Sequence, residues 1–231
     1  MHGRRVLHRH ASGRRRIVGA VLVSAIMGAV AVAQPPRVIY WEPGVSLLSK
    51  LRADDRVVAV PGGVVTPGID VGTLTLPEYI EIVVHGTAAA IVLDVTSAAA
   101  RLDDDESWVV TDISGTVKRV LYTRKGQIDA NRPLVLTYVR GGEMKVGPVL
   151  LKVGVVPNVH PGRSYLVFLD PTVGGRWSPS EGLFEINSAQ RVIIPARPVV
   201  PLPDDYFPEL VLNNARVDLV LDLIRAELEK K

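Results

Sequence analysis

Between Ile82 and Ile194 the chain offers one short β-branched run after another, each closed by glycine, proline or a polar cluster, with little room for a helix between them. Such a pattern directs the chain into a sheet of sequentially paired strands rather than a helical bundle or an alternating α/β fold. The runs are Ile82–Val95, Trp108–Tyr122, Leu134–Val139, Val146–Val156, Tyr165–Leu169, Leu183–Ile186 and Val192–Ile194. Gly86, Ser114-Gly115 and Gly154 fall inside runs, where glycine marks a bend or bulge. Asp103-Asp104-Asp105-Glu106 makes a polar hairpin tip, Gly141-Gly142 a tight turn, and Gly147-Pro148 a break. Tyr165–Leu169 is apolar at every position, which requires burial on both faces. Strands that bend at glycine favour a small antiparallel barrel.

The flanks add two helices. Thr75-Leu76-Pro77-Glu78 is a helix start: Thr75 or Leu76 caps it, Pro77 opens the first turn, and Glu78 meets the helix dipole. Because the β pattern resumes at Ile82, this helix is expected to be short. At the other end Val217, Leu221, Ile224 and Leu228 recur at helical spacing. Leu219, Val220 and Leu223 widen that face, Asn213 or Asn214 is the expected cap, and Lys230 and Lys231 suit the C-terminal end. The face requires a partner, either the protein's own barrel or a second protein. Residues 34–74 hold short apolar runs cut by Pro61-Gly62-Gly63 and Pro67-Gly68, expected as an arm or a pair of edge strands. Five prolines in 195–208 make an extended spacer.

Residues 1–33 read as an address. Arg4, Arg5, Arg9, Arg14, Arg15 and Arg16 precede an apolar run from Ile17 to Ala33, which ends in Ala31-Val32-Ala33. A basic head, an apolar middle and an Ala-x-Ala exit describe a secretory signal peptide, with cleavage after Ala33 and Gln34 as the first mature residue. Arg14-Arg15-Arg16 loosely resembles a twin-arginine signal; an ordinary basic head accounts for it. The competing reading is a retained anchor, which would make this a membrane-tethered envelope protein. The organisation is therefore a signal peptide (1–33), an arm (34–74), a barrel (75–195), and a Pro-rich linker with a C-terminal helix (196–231). The fold class is mainly β, a small OB-like barrel with one helix before it and one after. The expected location is secreted or periplasmic, with no membrane contact after cleavage.

Composition excludes several functions. There is no cysteine, so disulfide scaffolds, thiolate zinc sites and cysteine nucleophiles are out. Six of the 27 Lys and Arg, and none of the 24 Asp and Glu, lie in residues 1–33. That leaves 21 basic against 24 acidic residues after cleavage, a net charge of −3. A nucleic-acid partner loses its electrostatic support.

The order of pieces is familiar. A short helix leads to Ile82-Val83-Val84-His85-Gly86-Thr87. A hairpin enters Trp108-Val109-Val110-Thr111-Asp112 and continues to Val117–Leu121. Then come Gly141-Gly142, Pro161–Leu169 and Glu181–Ile186. This resembles uncharacterised exported bacterial β-barrel proteins. More distantly it is similar to the netrin-like module of tissue metalloproteinase inhibitors, an OB-type barrel, over about residues 76–195. The resemblance implies a fold. The inhibitors' N-terminal cysteine and disulfides are missing, so their chemistry passes to no residue here.

No catalytic, cofactor or metal residue stands out. His85 and His160 could join Asp94, Asp112 or Asp170, but they lie 75 residues apart with no His-x-His or His-x-x-x-His pair. Asp103–Glu106 lacks the alternation of a calcium loop. Asp112-Ile113-Ser114-Gly115 is one residue off the aspartic-protease turn and has no second copy. The paired glycines at 62–63, 141–142 and 174–175 lack phosphate-loop spacing. Trp41, Trp108 and Trp177 are too scattered for a sugar platform. The function expected is therefore binding of a protein or cell-envelope component. The alternative is an exported hydrolase with a dispersed Asp/Glu/His site.

Overall fold

A computed structural model describes residues 35–62, 74–172, 174–193, 197–198 and 211–230. The proposed leader with Ala31, Ala33 and Gln34, the Pro67-Gly68 turn, and most of the proline spacer lie outside the described residues. The fold is mainly β, with a short helix before the main sheet and a C-terminal helix after it.

Five strands close into a ring: β3 (Ala89–Leu102), β4 (Val109–Thr123), β5 (Pro133–Tyr138), β8 (Ser164–Pro171) and β9 (Trp177–Ile186). The order around the ring is β3-β4-β5-β9-β8, and β8 pairs back with β3. Four joins are antiparallel; β5 meets β9 in parallel at Leu136 and Trp177. The strand β10 (Val192–Ile193) adds to β9. Ile91, Leu93, Ile113, Leu136, Tyr138, Tyr165, Val167 and Leu169 fill the interior. The expected irregularity at Ser114-Gly115 lies across the ladder. Thr96 of β3 is the extra residue facing that pair, and two further register shifts fall at Lys118 and Leu121 of β4.

α1 runs over Leu76–Gly86, longer than the sequence suggests. Its start is as expected. Thr75 caps it, and the Glu78 carboxylate accepts from the Thr75 N–H at 2.8 Å and hydroxyl at 2.7 Å. The difference is at its end. Residues 82–86, expected as strand with a bend at Gly86, are helical. Tyr79, Ile80, Val83 and Val84 are buried at i, i+1, i+4, i+5, and this helical stripe outweighs the β-branched propensity of Ile82-Val83-Val84. α2 spans Val217–Glu229 with Arg216, not Asn213 or Asn214, as its N-cap. Asn214 instead takes a left-handed turn ahead of the helix and donates its N–H to Val192 O. The buried face is Val217, Val220, Ile224 and Glu227, whereas Leu221 and Leu228 are half-buried.

Both helices cover one outer face of the ring. Val83, Val84, Val220 and Ile224 pack with Ala90, Leu166, Phe168 and Phe184. Phe168 and Phe184 meet edge to face, 6.0 Å between centroids. Tyr165–Leu169 of β8 is thus apolar at every position because Tyr165, Val167 and Leu169 face the interior and Leu166 and Phe168 face the helices.

The segment expected as an arm or edge strands is built into a second sheet. β1 (Arg37–Val38) pairs in parallel with β2 (Val57–Val60), and β2 pairs in parallel with β7 (Val149–Val156). β2 is an inner strand with Val58, Ala59 and Val60 buried. β6 (Gly141–Val146) forms a hairpin with β7 across Gly147-Pro148, and β11 (Arg197–Pro198) pairs with the end of β7. Gly141-Gly142 therefore opens a strand rather than only turning the chain. A one-turn 3-10 helix (Leu47–Lys50) joins β1 to β2. Leu47, Val58, Val60, Val109, Leu151 and Val153 are the core of this sheet, which also packs on the far half of the β3–β4 hairpin. Gln34 to Lys231 form one compact unit.

Candidate binding face on the strand ring

The ring has one outer face that neither the helices nor the second sheet covers among the described residues. It spans the middle of β3, β4 and β5. Residues directly opposite one another across a ladder project to the same side of the sheet. The pairings therefore set two rows, Ala99–Asp112–Thr137 and Ser97–Ser114–Val135, and a third at Asp94–Thr116–Pro133. The alternation Asp112-Ile113-Ser114 along β4 creates this: Ile113 goes into the core and its neighbours point out. Ser97, Ala99, Thr116 and Pro133 are exposed, and Val135, 54% exposed, is the large hydrophobic side chain among them.

One fixed charge pair borders the face. Arg101 Nε donates to Asp112 Oδ2 at 2.7 Å, and Thr137 Oγ1 donates to Asp112 Oδ1 at 2.9 Å. Burial by itself would raise Asp112. The Arg101 and Thr137 hydrogen bonds, with the charges of Arg101 and Arg176, outweigh it and hold this carboxyl below the ordinary carboxylate range. Both oxygens are engaged, so Asp112 presents a rigid anionic edge rather than a free base. Arg176 stands in the β8–β9 turn, where Thr172 donates its N–H and hydroxyl to the Arg176 carbonyl.

The histidines and aspartates considered from sequence are scattered. Asp94 accepts from the Ser164 hydroxyl and lies 3.8 Å from Lys118 Nζ. Asp170 accepts from the Ala88 N–H at 3.0 Å. His160 donates its backbone N–H to the Tyr165 hydroxyl at 2.8 Å. His85 Nε2 lies 2.9 Å from Glu227 Oε1 and ties the end of α1 to α2. Lys230 Nζ meets the other oxygen of Glu227 at 2.6 Å, and this contact does most to lower the Glu227 carboxyl. Among the described residues, no three His, Cys, Asp or Glu side chains converge as a metal site. Asp103 is spent on its own turn, accepting from Ser107 N and Trp108 N. Trp177 is buried beside the ring core, Trp108 donates to Val139 O, and Trp41 is exposed beside the second sheet.

The Arg101–Asp112–Thr137 cluster is what sequence reading missed. Its three members come from three strands, and only the register brings them together. The usable signal was the outward alternation of Thr111–Ser114.

No protein-family model matches the chain, and no curated protein matches it. Among the described residues no helix is long and apolar enough to cross a membrane.

Proposed function

We propose that this is an exported binding module of the cell envelope or extracellular space, and that its ring is of the OB type. Support for the barrel type is the strand order: five strands closing as first-second-third-fifth-fourth, with the third and fifth parallel. OB-type barrels bind along their second and third strands and the loops after the first and fourth. Those parts here are β4, β5, the 103–108 hairpin tip and the 172–176 turn.

The observation that carries the reading is the uncovered face over β3, β4 and β5, with its short hydroxyl side chains, exposed Val135 and the fixed Arg101–Asp112 pair. Arg101 on this face is already paired with Asp112, Lys118 lies beside Asp94, and Arg176 stands at the rim, so a polyanion finds no continuous basic track. The face suits an uncharged polar or peptide ligand of the envelope. Support for export is the basic-apolar-Ala-x-Ala order of residues 1–33.

The test is site-specific photo-cross-linking in cells. A cross-linking side chain at Val135 or Thr116 should give discrete adducts; the same group at Glu81, on the exposed side of α1, should not. Adducts only from Glu81, or from neither site, would overturn the assignment of this face. N-terminal sequencing of the exported protein should begin at Gln34.

A further inference from the structure

We propose that the outer edge of β3 from Thr96 to Leu102 pairs antiparallel with the same edge of a second copy of this chain, about a two-fold axis near Ala98–Ala99. β8 covers β3 only from Ala89 to Asp94. Val95 makes the last contacts, donating to Arg163 O at 2.9 Å and accepting from Gly162 N at 2.8 Å. β4 continues alongside β3 as far as Leu102. From Thr96 to Leu102, therefore, β3 has a strand neighbour on one side only among the described residues. Exposure reports the same thing: Thr96, Ser97, Ala98 and Ala99 are all exposed, including Ala98, whose cross-strand neighbour Ile113 is fully buried.

An open edge is normally guarded by lysine, proline or an inward charge. Thr96 to Ala100 carries none of these, and Arg101, the one charge from Thr96 to Leu102, is held by Asp112. Its short side chains let another strand approach to the usual spacing of about 4.8 Å.

Charge placement selects the occupant and its direction. Beyond one end of the edge stands the acidic tip, with Asp104, Asp105 and Glu106 exposed. Beyond the other end stand Lys118 and Arg119, on β4 across from Val92-Leu93, and Arg163 beside Val95. The Lys118 and Arg163 side chains are more than half exposed even with Asp94 and Glu185 nearby. Tip and basic group lie at similar distances from Ala98–Ala99 along the strand. A two-fold antiparallel pairing thus sets each acidic tip beside the partner's basic end, and the edge is complementary to itself. The ladder would join two rings through one continuous sheet and double the face over β3–β5.

Sedimentation equilibrium on the chain from Gln34 to Lys231, one compact unit, should give twice the monomer mass, with dissociation rising as salt is added. The Ser97→Lys/Ala99→Lys variant sets like charges across the axis. It should read the monomer mass while keeping the parent's circular dichroism. A monomeric parent throughout the micromolar range would overturn the proposal, as would a dimer that the lysine pair leaves intact. Should the lysine variant lose its fold, cysteine decides, because the chain has none of its own. Ala98→Cys should oxidise to a linked dimer and Glu81→Cys should not. No link through Ala98→Cys, or equal links from both, would overturn it.

Discussion

Arg37 grips Asp55 with two nitrogens, Nε at 2.7 Å and a terminal nitrogen at 2.6 Å, and also donates to Lys50 O. The Arg52 N–H adds a further bond to the same carboxylate. The guanidinium, more than any other group, pulls the Asp55 carboxyl from 3.8 down to about 2, against the opposing effect of burial. Because the folded value lies below the unfolded one, this bond contributes fully above pH 3.8 and is lost as pH falls toward about 2. The Tm gap between the parent and Asp55→Asn should therefore be widest near neutral pH and shrink through that window. A gap constant with pH would show that the ion pair contributes nothing. Gly141 and Gly154 are a second residue-scale constraint. Both have positive φ, and a Cβ on Gly154 would stand 2.1 Å from Arg140 O while one on Gly141 would stand 2.0 Å from Val153 O. The two backbones touch, so neither position takes a side chain without moving the β6–β7 hairpin.

At the scale of elements, α2 is held by its apolar face. Ile224 is 2% exposed among Val83, Val84 and the ring's outer residues. Ile224→Ala should cost about 2–5 kcal/mol in urea unfolding, whereas Leu219→Ala, at 47% exposure, should change stability by less than about 0.5 kcal/mol. Equal effects would place α2 off the ring. Elements of this kind differ in how legible they are. β8 was readable because five consecutive apolar residues demand two buried faces, and the ring and helices supply both. The start of α1 was readable from Thr75, Pro77 and Glu78. Its end was not, because Ile82-Val83-Val84 satisfies a strand pattern and a helical stripe equally, and only the surface beneath decides. β2 was misjudged for a related reason: four apolar residues between prolines and aspartates carry no sign of how many neighbours they will have. The site was the least legible, since Arg101, Asp112 and Thr137 meet only once the register is known.

For the whole molecule, the second sheet joins the start of the described chain to its middle. β2 covers Leu151 and Val153 of β7, so the ring and the sheet share one folded unit through the long β3–β4 hairpin. A chain beginning at Leu74 should expose that β7 surface and bind a hydrophobic dye such as ANS, or precipitate, although every ring strand is present. A soluble chain that binds no dye would show that the ring folds alone.

The pairing of β2 with β7 also orders events in time. Val57 meets Leu150 and Val60 meets Val153, so the partner is made long after β2 has left the ribosome. Through that interval Val57-Val58-Ala59-Val60 has only the two-residue β1 as a strand neighbour, and its β7 side waits open. Closing so long a loop carries a large entropic cost and makes the step slow. The waiting strand is the segment most exposed to aggregation during synthesis, and a holding chaperone would find its natural grip there.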